Sequence, residues 1–484
     1  MNFSVMRWEI AVTVLMLVLF FADLFFPRIS KRILGLGAAY SLGLFLFGSL
    51  FLGNGLPPDV PRLETAHGLY VLDTLAIWAK QFSMLTTLLT ILISIRFFGE
   101  SDDHLSEYFI LQLLVCLGMM LVSSTADFFS SFVALELMTV SFYVLVSFQR
   151  KNILCLEAAL KYLIYGGVSS GILLYGIALI YGSSGEIHFA KVAEYALFHI
   201  KSNLLLMGLL LVLVGLAFKI SAVPFHWWTA DVYEGAPTPT VALLSIGSKG
   251  AGFVLLIRVL FEVFPSYQAK WLPLLIFASG GSILYGNLAA LSQSNLKRLM
   301  GYSSISHSGY MLLGVAASSV MGLSAVLYYL LGYLLANALI FGVMCETAAE
   351  NPRQDIRSYA GLSDRSGWAA TALVFGLLSL AGIPPLAGFF GKLLLFQVTF
   401  EQSFFILLGL AVLGVVCSLY YYLGVIRTMY FSNTNTPSTN HTPLKIPGPW
   451  RWFFGLLIGF VIMVGFYQLP WWQASETAVR SVYP

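Results

Sequence analysis

Long apolar stretches follow one another along almost the whole chain, separated by short polar connections. A membrane-crossing helix needs about 20 mostly apolar residues. Only 10% of the 484 residues are charged, against roughly 25% in soluble domains. We therefore expect an all-α polytopic membrane protein in a lipid bilayer, with about 14 transmembrane helices at 8–26, 33–53, 70–97, 106–122, 126–148, 153–182, 202–229, 239–264, 271–292, 299–318, 321–346, 368–399, 402–430 and 451–469.

Charge and cysteine usage set several functional classes aside. The net charge is only +3 and the basic residues are scattered, whereas nucleic acid calls for a clustered basic face, so no nucleic-acid partner is expected. The four cysteines lie singly, without a C-x-x-C pair, which indicates free thiols rather than disulfides, zinc or iron–sulfur ligands. No phosphate-binding loop, dinucleotide fingerprint or hydrolase motif is present, so no metal or cofactor site is expected in this chain.

The polar connections indicate the orientation of the chain. With the first stretch entering from outside, the cytoplasmic connections carry more Lys and Arg than the opposite side, which places both termini in the periplasm. The first stretch lacks a small-residue cleavage site, so we expect a retained helix. Residues 432–449 form a polar, Pro-rich linker, and 182–202 is expected to be a structured loop rather than an amphipathic element.

A few charged or titratable residues fall near the middle of predicted spans. A charge at this depth costs on the order of 3 kcal/mol and is usually functional or paired. These residues are Glu136, Lys219, Lys249 and Lys392, with His307 at a similar depth. They predict a polar axis along the membrane plane. Structural ion pairing is the alternative, although one glutamate cannot neutralise three lysines.

Lysine suits proton transfer because burial brings the pKa of its ammonium group towards neutrality, which arginine does not allow. Lys161, one turn after Glu157, is either a surface ion pair or a second partner for Glu136. Arg258 is expected to extend its charge to the membrane interface, and Glu9 to be interfacial.

Two histidines remain with more than one interpretation. Haem ligation by His226 and His307 requires a recognisable facing pair or a C-x-x-C-H motif, and neither is present. A proton relay and a hydrogen-bonded core histidine both remain open for these two residues.

Two predicted spans contain helix-breaking residues beside a lysine. Pro224 follows Lys219 by five residues, and Pro384 with Pro385 precedes Lys392. Proline removes a backbone hydrogen bond, so helices 7 and 12 are predicted to be discontinuous. Interrupted helices at membrane depth line protein or water and present free carbonyls or amides to ions. Kinking for packing alone is the alternative.

The two breaks lie five spans apart, as two related halves would place them. Five helices per half force opposite orientations, so we predict inverted five-helix repeats. The resulting regions are helices 1–3 (1–104), the first repeat with helices 4–8 (105–265), the second repeat with helices 9–13 (266–431), and the linker with helix 14 (432–484).

Three long motifs, "GLAFKISAVPFHWWTADVYEGAPTPTVALLSIGSKGAG", "NLKRLMGYSSISHSGYML" and "LSLAGIPPLAGFFGKLLLF", closely resemble the antiporter-like membrane subunits of respiratory complex I, most of all the N type. The resemblance is colinear over roughly 100–430. Lys392 replaces the glutamate usual in the M type, and the long lateral helix of the L type is not present.

The resemblance implies a fold of 14 helices that carries protons through a row of buried residues and water. By motif position, it assigns proton translocation to Glu136, Lys219, Lys249 and Lys392, with His307 and Lys161 as supporting relay residues. His226, beside the break of the seventh span, is predicted as a further supporting relay residue.

The resemblance also implies what lies outside the chain. NADH, FMN, iron–sulfur clusters and quinone are expected on partner subunits, which include further antiporter-like subunits. The chain would then be part of a proton-translocating enzyme in the bacterial inner membrane, without a redox centre of its own. Mrp-type Na⁺/H⁺ antiporters, membrane-bound hydrogenases and a stand-alone cation/proton antiporter are the alternatives.

Overall fold

The computed structural model describes residues 3–26, 28–51, 56, 62–65, 68–98, 104–431 and 443–483, so that 432–442 of the predicted linker lie outside the described residues. The chain forms a hairpin of β1 (Arg62–Thr65) and β2 (Tyr70–Asp73) and a long series of helices. The helices are α1 (Arg7–Phe25), α2 (Lys31–Phe51), α3 (Thr74–Phe98), α4 (Leu105–Ser123), α5 (Phe128–Val146), α6 (Ile153–Ser184), α7 (Phe189–Phe198), α8 (Asn203–Lys219), α9 (Thr229–Gly235), α10 (Thr238–Leu243), α11 (Lys249–Arg258), α12 (Gln268–Ala290), α13 (Leu296–Ala316), α14 (Val320–Thr347), α15 (Leu362–Arg365), α16 (Gly367–Ala381), α17 (Ala387–Glu401), α18 (Phe405–Phe431), α19 (Gly448–Phe466) and α20 (Leu469–Val479).

Within the described residues, eleven helices are long and apolar enough to cross a membrane. Each coincides with one of the predicted spans, and the all-α membrane architecture is confirmed. The three other predicted spans correspond to α8, to α13 and to the pair α16 and α17. They contain Lys219, His307 and Lys392, because polar residues and helix breaks make these segments shorter or less apolar. The total of 14 spans and the inverted repeats stay predictions.

The chain divides into two compact units. The first comprises Met1–Trp228, Gly235–Leu275 and Ala474–Pro484. At its centre, the span Thr238–Val263 is buried on all sides and joins α10 and α11 through a π-helical turn, Leu244–Ser248. The second comprises Thr229–Glu234 and Ile276–Gln473, with α14 at its centre in contact with α13, α16, α17 and α19. Each unit thus surrounds one long buried helix.

The seventh and twelfth predicted spans, 202–229 and 368–399, are interrupted where the sequence predicts it. The helix α8 ends at Lys219 and α9 begins at Thr229, with Pro224 between them. The helix α16 ends at Ala381, where Gly382 has a φ of +86° and its N–H donates to the carbonyl of Leu378. Glycine adopts this left-handed conformation at little cost, so it closes the helix before Pro384 and Pro385.

Two local expectations were wrong. Residues 182–202 contain a helix, α7, whose side chains Phe189, Val192 and Ala196 are buried. Their spacing places them on one helical face, so packing favours the helix over a loop. The predicted third span does not begin at 70, because Tyr70–Asp73 forms β2 and the N–H of Val71 donates to the carbonyl of Ser124.

Arg258 does not extend to the membrane interface. Its side chain is fully buried, and Nη2 donates to Asp73 Oδ1 at 2.7 Å. Its Nε donates to the carbonyl of Ser123 at 3.0 Å, and Nη1 to Glu262 Oε1 at 3.3 Å. The hairpin brings the carboxylate of Asp73 to this depth. Burial favours a raised pKa for Asp73, but the charge and hydrogen bond of Arg258 outweigh it and hold the pKa below its usual value.

Glu9 is likewise buried rather than interfacial. Its Oε1 lies 2.8 Å from Lys80 Nζ, and both side chains are almost fully enclosed. The position of Glu9 near the start of α1 does not reveal this, because the partner comes from α3.

Replacing Arg258 with leucine leaves Asp73 as a buried charge without its main partner. Such a loss costs about 3–5 kcal/mol, so Arg258→Leu is expected to lower the thermal denaturation midpoint of the purified protein in detergent strongly. Adding Asp73→Asn removes the stranded charge and is expected to restore part of the loss.

The matched control is Arg480→Leu, since Arg480 pairs with Glu476 on an exposed surface. Exposed pairs contribute about 0–1 kcal/mol. Equal effects of Arg258→Leu and Arg480→Leu on the midpoint would contradict a structural role for the buried pair.

Candidate functional site

Lys219 in the first unit is held mainly by a neutral acceptor. It is the last residue of α8, its side chain is buried, and Nζ donates to Thr139 Oγ1 at 2.5 Å. The carboxylate oxygen Oε1 of Glu136 lies further away, at 3.9 Å from Nζ. Thr139 follows Glu136 by three residues, so α5 presents both groups on one face. The lysine therefore lies between a hydroxyl and a carboxylate.

Glu136 has a hydrogen-bond partner of its own. Ser170 on α6 donates from Oγ to Glu136 Oε1 at 2.6 Å. The Glu136 side chain is 26% exposed, whereas that of Lys219 is 1% exposed. Glu136 thus lies at the edge of the packed unit and Lys219 inside it. The structure brings this predicted pair together, with the hydroxyls of Ser170 and Thr139 competing for its two members.

Lys249 begins α11, directly after the π-helical turn Leu244–Ser248, and is buried. π-Helical turns occur frequently at functional sites. Three residues later, Gly252 approaches the end of α8 closely: a Cβ there would lie 2.8 Å from Ile220 Cγ2 and 3.6 Å from Lys219 Cβ. The helix that carries Lys249 therefore packs directly beside the segment that carries Lys219.

The two supporting residues of this unit differ in their surroundings. His226 lies in the interruption between α8 and α9, is buried, and stacks on Trp227 with ring centroids 5.5 Å apart. Lys161 forms the expected pair with Glu157 at 2.8 Å, and both side chains are more than one-third exposed. The surface pair is present, while a relay role for Lys161 stays a prediction.

Lys392 in the second unit reaches back across the interruption of its own span. From α17, Nζ donates to the carbonyls of Leu380 at 2.7 Å and Ala381 at 3.1 Å, which end α16. Nζ also lies 4.9 Å from the ring centroid of Tyr310, within cation–π range. The break thus supplies the acceptors that hold the ammonium group.

His307 is held by two tyrosine hydroxyls. Its Nδ1 is 2.6 Å from Tyr329 OH and its Nε2 is 3.1 Å from Tyr422 OH. The same aromatic groups border Lys392. Gly391 packs directly against the ring of Tyr329, and the ring centroids of His307 and Tyr310 are 6.0 Å apart. Tyrosines therefore connect the two predicted residues of this unit.

Sequence reasoning missed the hydroxyl groups around these residues. The spacing of Glu136 and Thr139 offered a signal, since three residues span about one helical turn. Ser170, Tyr329 and Tyr422 come from other helices and offered none. In the described part of the chain, no group of three or more His, Cys, Asp and Glu side chains is arranged to hold a metal ion.

Comparison with known proteins agrees with these features. Residues 125–418 match the family model described as "NADH:quinone oxidoreductase/Mrp antiporter, TM". The matched region contains Glu136, Lys219, Lys249, His307 and Lys392.

Relatives extend the match over the whole chain. The chain is 35% identical to NADH-quinone oxidoreductase subunit N of Desulforamulus reducens, covering 99% of this chain and 98% of the relative. It resembles a chain of respiratory complex I from Thermus thermophilus with bound aureothin at 29% identity and a TM-score of 0.79, covering 95% and 97% of the two chains. A chain of the Mrp complex from Dietzia sp. shares the fold, with a TM-score of 0.87 and 21% identity over 100% and 98% of the chains. The chain therefore belongs to the NADH-quinone oxidoreductase subunit N family, among the antiporter-like membrane subunits.

Proposed function

We propose that this chain translocates protons as a membrane subunit of a bacterial NADH:quinone oxidoreductase, with the redox chemistry and its cofactors on partner subunits. One observation carries the proposal: Lys219 in the first unit and Lys392 in the second each lie beside an interruption of their span, are buried and donate to neutral acceptors. A carboxylate in direct contact would stabilise the ammonium form, whereas neutral oxygens leave the lysine able to release a proton.

The proposed route begins at Glu136 and Lys219. The carboxylate at the edge of the first unit takes up a proton, and Lys219 passes one on to Lys249 on the adjoining helix. His307 and Lys392 then complete the row, with release near Lys392. Both termini lie on the periplasmic side in this proposal. His226 and Lys161 support the first half of the route.

Charge changes along the row supply the coupling. When Lys219 approaches Glu136, the ion pair favours the protonated lysine; when it turns to Thr139, that stabilisation weakens. The 3.9 Å separation of Nζ and Oε1 leaves both arrangements within reach of a small side-chain rotation. Redox chemistry on other subunits needs only to shift this balance.

A second candidate is a subunit of an Mrp-type Na⁺/H⁺ antiporter or of a membrane-bound hydrogenase, or a stand-alone cation/proton antiporter. The fold that this chain shares with a chain of the Mrp complex from Dietzia sp. supports this second candidate. Purification from native membranes without overexpression separates the two: co-purifying NADH-oxidising subunits support the first function, and their absence together with Na⁺-dependent proton exchange supports the second.

Replacing Lys219 or Lys392 with alanine removes a proposed proton carrier. Each variant is expected to lose most proton pumping per NADH oxidised, measured as acidification of vesicles that contain the assembled complex. Lys270→Ala, at an exposed lysine of α12, is the control and is expected to pump normally. Full pumping by the assembled Lys219→Ala or Lys392→Ala variant contradicts the role of that residue.

Thr139→Val keeps a similar shape but removes the hydroxyl that accepts from Lys219. The ammonium group is then expected to close on Glu136 and to retain its proton, so the rate of pumping falls at constant NADH supply. Thr139→Ser retains Oγ and is expected to pump at the normal rate. Equal rates for the Val and Ser variants, in complexes assembled to the same level, would show that the hydroxyl has no part in the transfer.

A further inference from the structure

A second buried cluster of titratable groups lies outside the proposed row. Lys80 Nζ is 2.8 Å from Glu9 Oε1 and donates to Tyr70 OH at 2.6 Å. The Tyr70 hydroxyl in turn donates to Glu9 Oε1 at 2.7 Å. The Lys80 and Glu9 side chains are only 2% and 3% exposed. Each of the three groups is thus within hydrogen-bonding distance of the other two.

We propose that Glu9, Tyr70 and Lys80 form a second proton-binding site, a side branch of the proton path on the Lys249 side of the first unit. The inference rests on the proposed function, because a side branch requires a proton path to join. No member of this cluster belongs to the row of Glu136, Lys219 and Lys249.

The contacts allow a proton to move without rotation of any side chain. The Lys80 ammonium gives one proton to the Tyr70 oxygen, while the Tyr70 hydroxyl proton passes to Glu9 Oε1. One N–H bond and one O–H bond break, and two O–H bonds form. The products are a neutral amine, an unchanged tyrosine and a neutral carboxylic acid. The buried pair therefore has two forms that differ only in the position of one proton.

One oxygen of the cluster is left over to exchange protons. Glu9 Oε2 is buried and has no hydrogen-bond partner in the described part of the chain. A buried carboxylate oxygen without a partner is costly unless it accepts a proton or a hydrogen bond from water. A cavity of about 370 Å³ borders Tyr70 and Ser124. Tyr70 is therefore the member of the cluster that borders this open space.

The cluster lies one helix away from Lys249. Gly250, the residue after Lys249, packs directly against the ring of Phe82, two positions after Lys80. The helices that carry the two lysines, α3 and α11, are therefore in direct contact, with Phe82 and Lys80 on different faces of α3. The cluster and the proposed row thus lie on neighbouring helices of the first unit.

The charged and titratable groups around the cluster come from several elements. Asp73 and Arg258 act electrostatically on Lys80, and the thiol of Cys116 lies near enough to Glu9 to be affected by its charge. Asp73 and Arg258 neutralise each other at 2.7 Å. The charge of the cluster therefore depends mainly on the protons of Glu9 and Lys80.

The test measures protons pumped per NADH oxidised by the assembled complex in vesicles. The double variant Glu9→Gln/Lys80→Met removes the two charged groups of the cluster and strands no buried charge. Lys80→Arg keeps a cation beside Glu9, but a guanidinium group does not release its proton. Both variants are expected to lose pumping per NADH oxidised. Full pumping by the assembled Lys80→Arg complex would show a purely structural ion pair and overturn the proposal.

Lys249→Ala is measured alongside, so that a failure of the proposed row can be distinguished from a failure of the side branch. Full pumping by Lys249→Ala means that the proposed row itself is wrong. Loss of pumping in Lys249→Ala with full pumping in both cluster variants refutes only the side branch. If neither cluster variant assembles with NADH-oxidising partners, the cluster is structural and the proposal is also refuted.

Discussion

A buried ammonium group needs hydrogen-bond acceptors where hydrocarbon offers none. The backbone of a continuous helix supplies few of them, because its carbonyls already accept from its own N–H groups, so the acceptors come from a helix end or from a side chain. The interruption of α16 frees the carbonyls of Leu380 and Ala381, and Lys392 donates to both. Lys219 ends α8 and obtains its acceptor from Thr139 on α5. The end of α16 meets this requirement for Lys392, and the hydroxyl of Thr139 meets it for Lys219.

The two breaks occur in opposite order relative to their lysines, with Pro224 after Lys219 and Pro384 before Lys392. The structure gives both orders the same electrostatic meaning. Lys219 lies in the last turn of α8, and the Lys392 ammonium contacts the last carbonyls of α16. Each cation therefore lies at the C-terminal end of a half-helix, where the helix dipole is negative and stabilises positive charge. Sequence order differs, while the type of site is shared.

Local chemistry explains what the sequence predicted well. Apolar runs, proline and glycine act on their own segment, so the apolar spans and both interruptions were predictable. So were the buried lysines, and the long motifs around them identified the family. The membrane family is thus recognisable before any fold is known.

Tertiary contacts explain what the sequence did not predict. Arg258 and Glu9 were assigned to the interface from their place along a span, yet their partners Asp73 and Lys80 come from other elements. The hydroxyls of Ser170 and Tyr329 reach Glu136 and His307 from the next helix in each case. The spacing of residues within one segment does not indicate such contacts. The depth and the partner of a buried charge can therefore be determined only from the assembled fold.

The central claim is that the lysines act by releasing and rebinding protons rather than by carrying a fixed charge. Lys219→Arg tests this most directly, since arginine keeps the positive charge beside Thr139 and Glu136 but does not deprotonate at neutral pH. The decisive measurement is the number of protons pumped per NADH oxidised by the intact complex with this substitution. The account predicts a sharply lower ratio in a normally assembled complex. An unchanged ratio would contradict it.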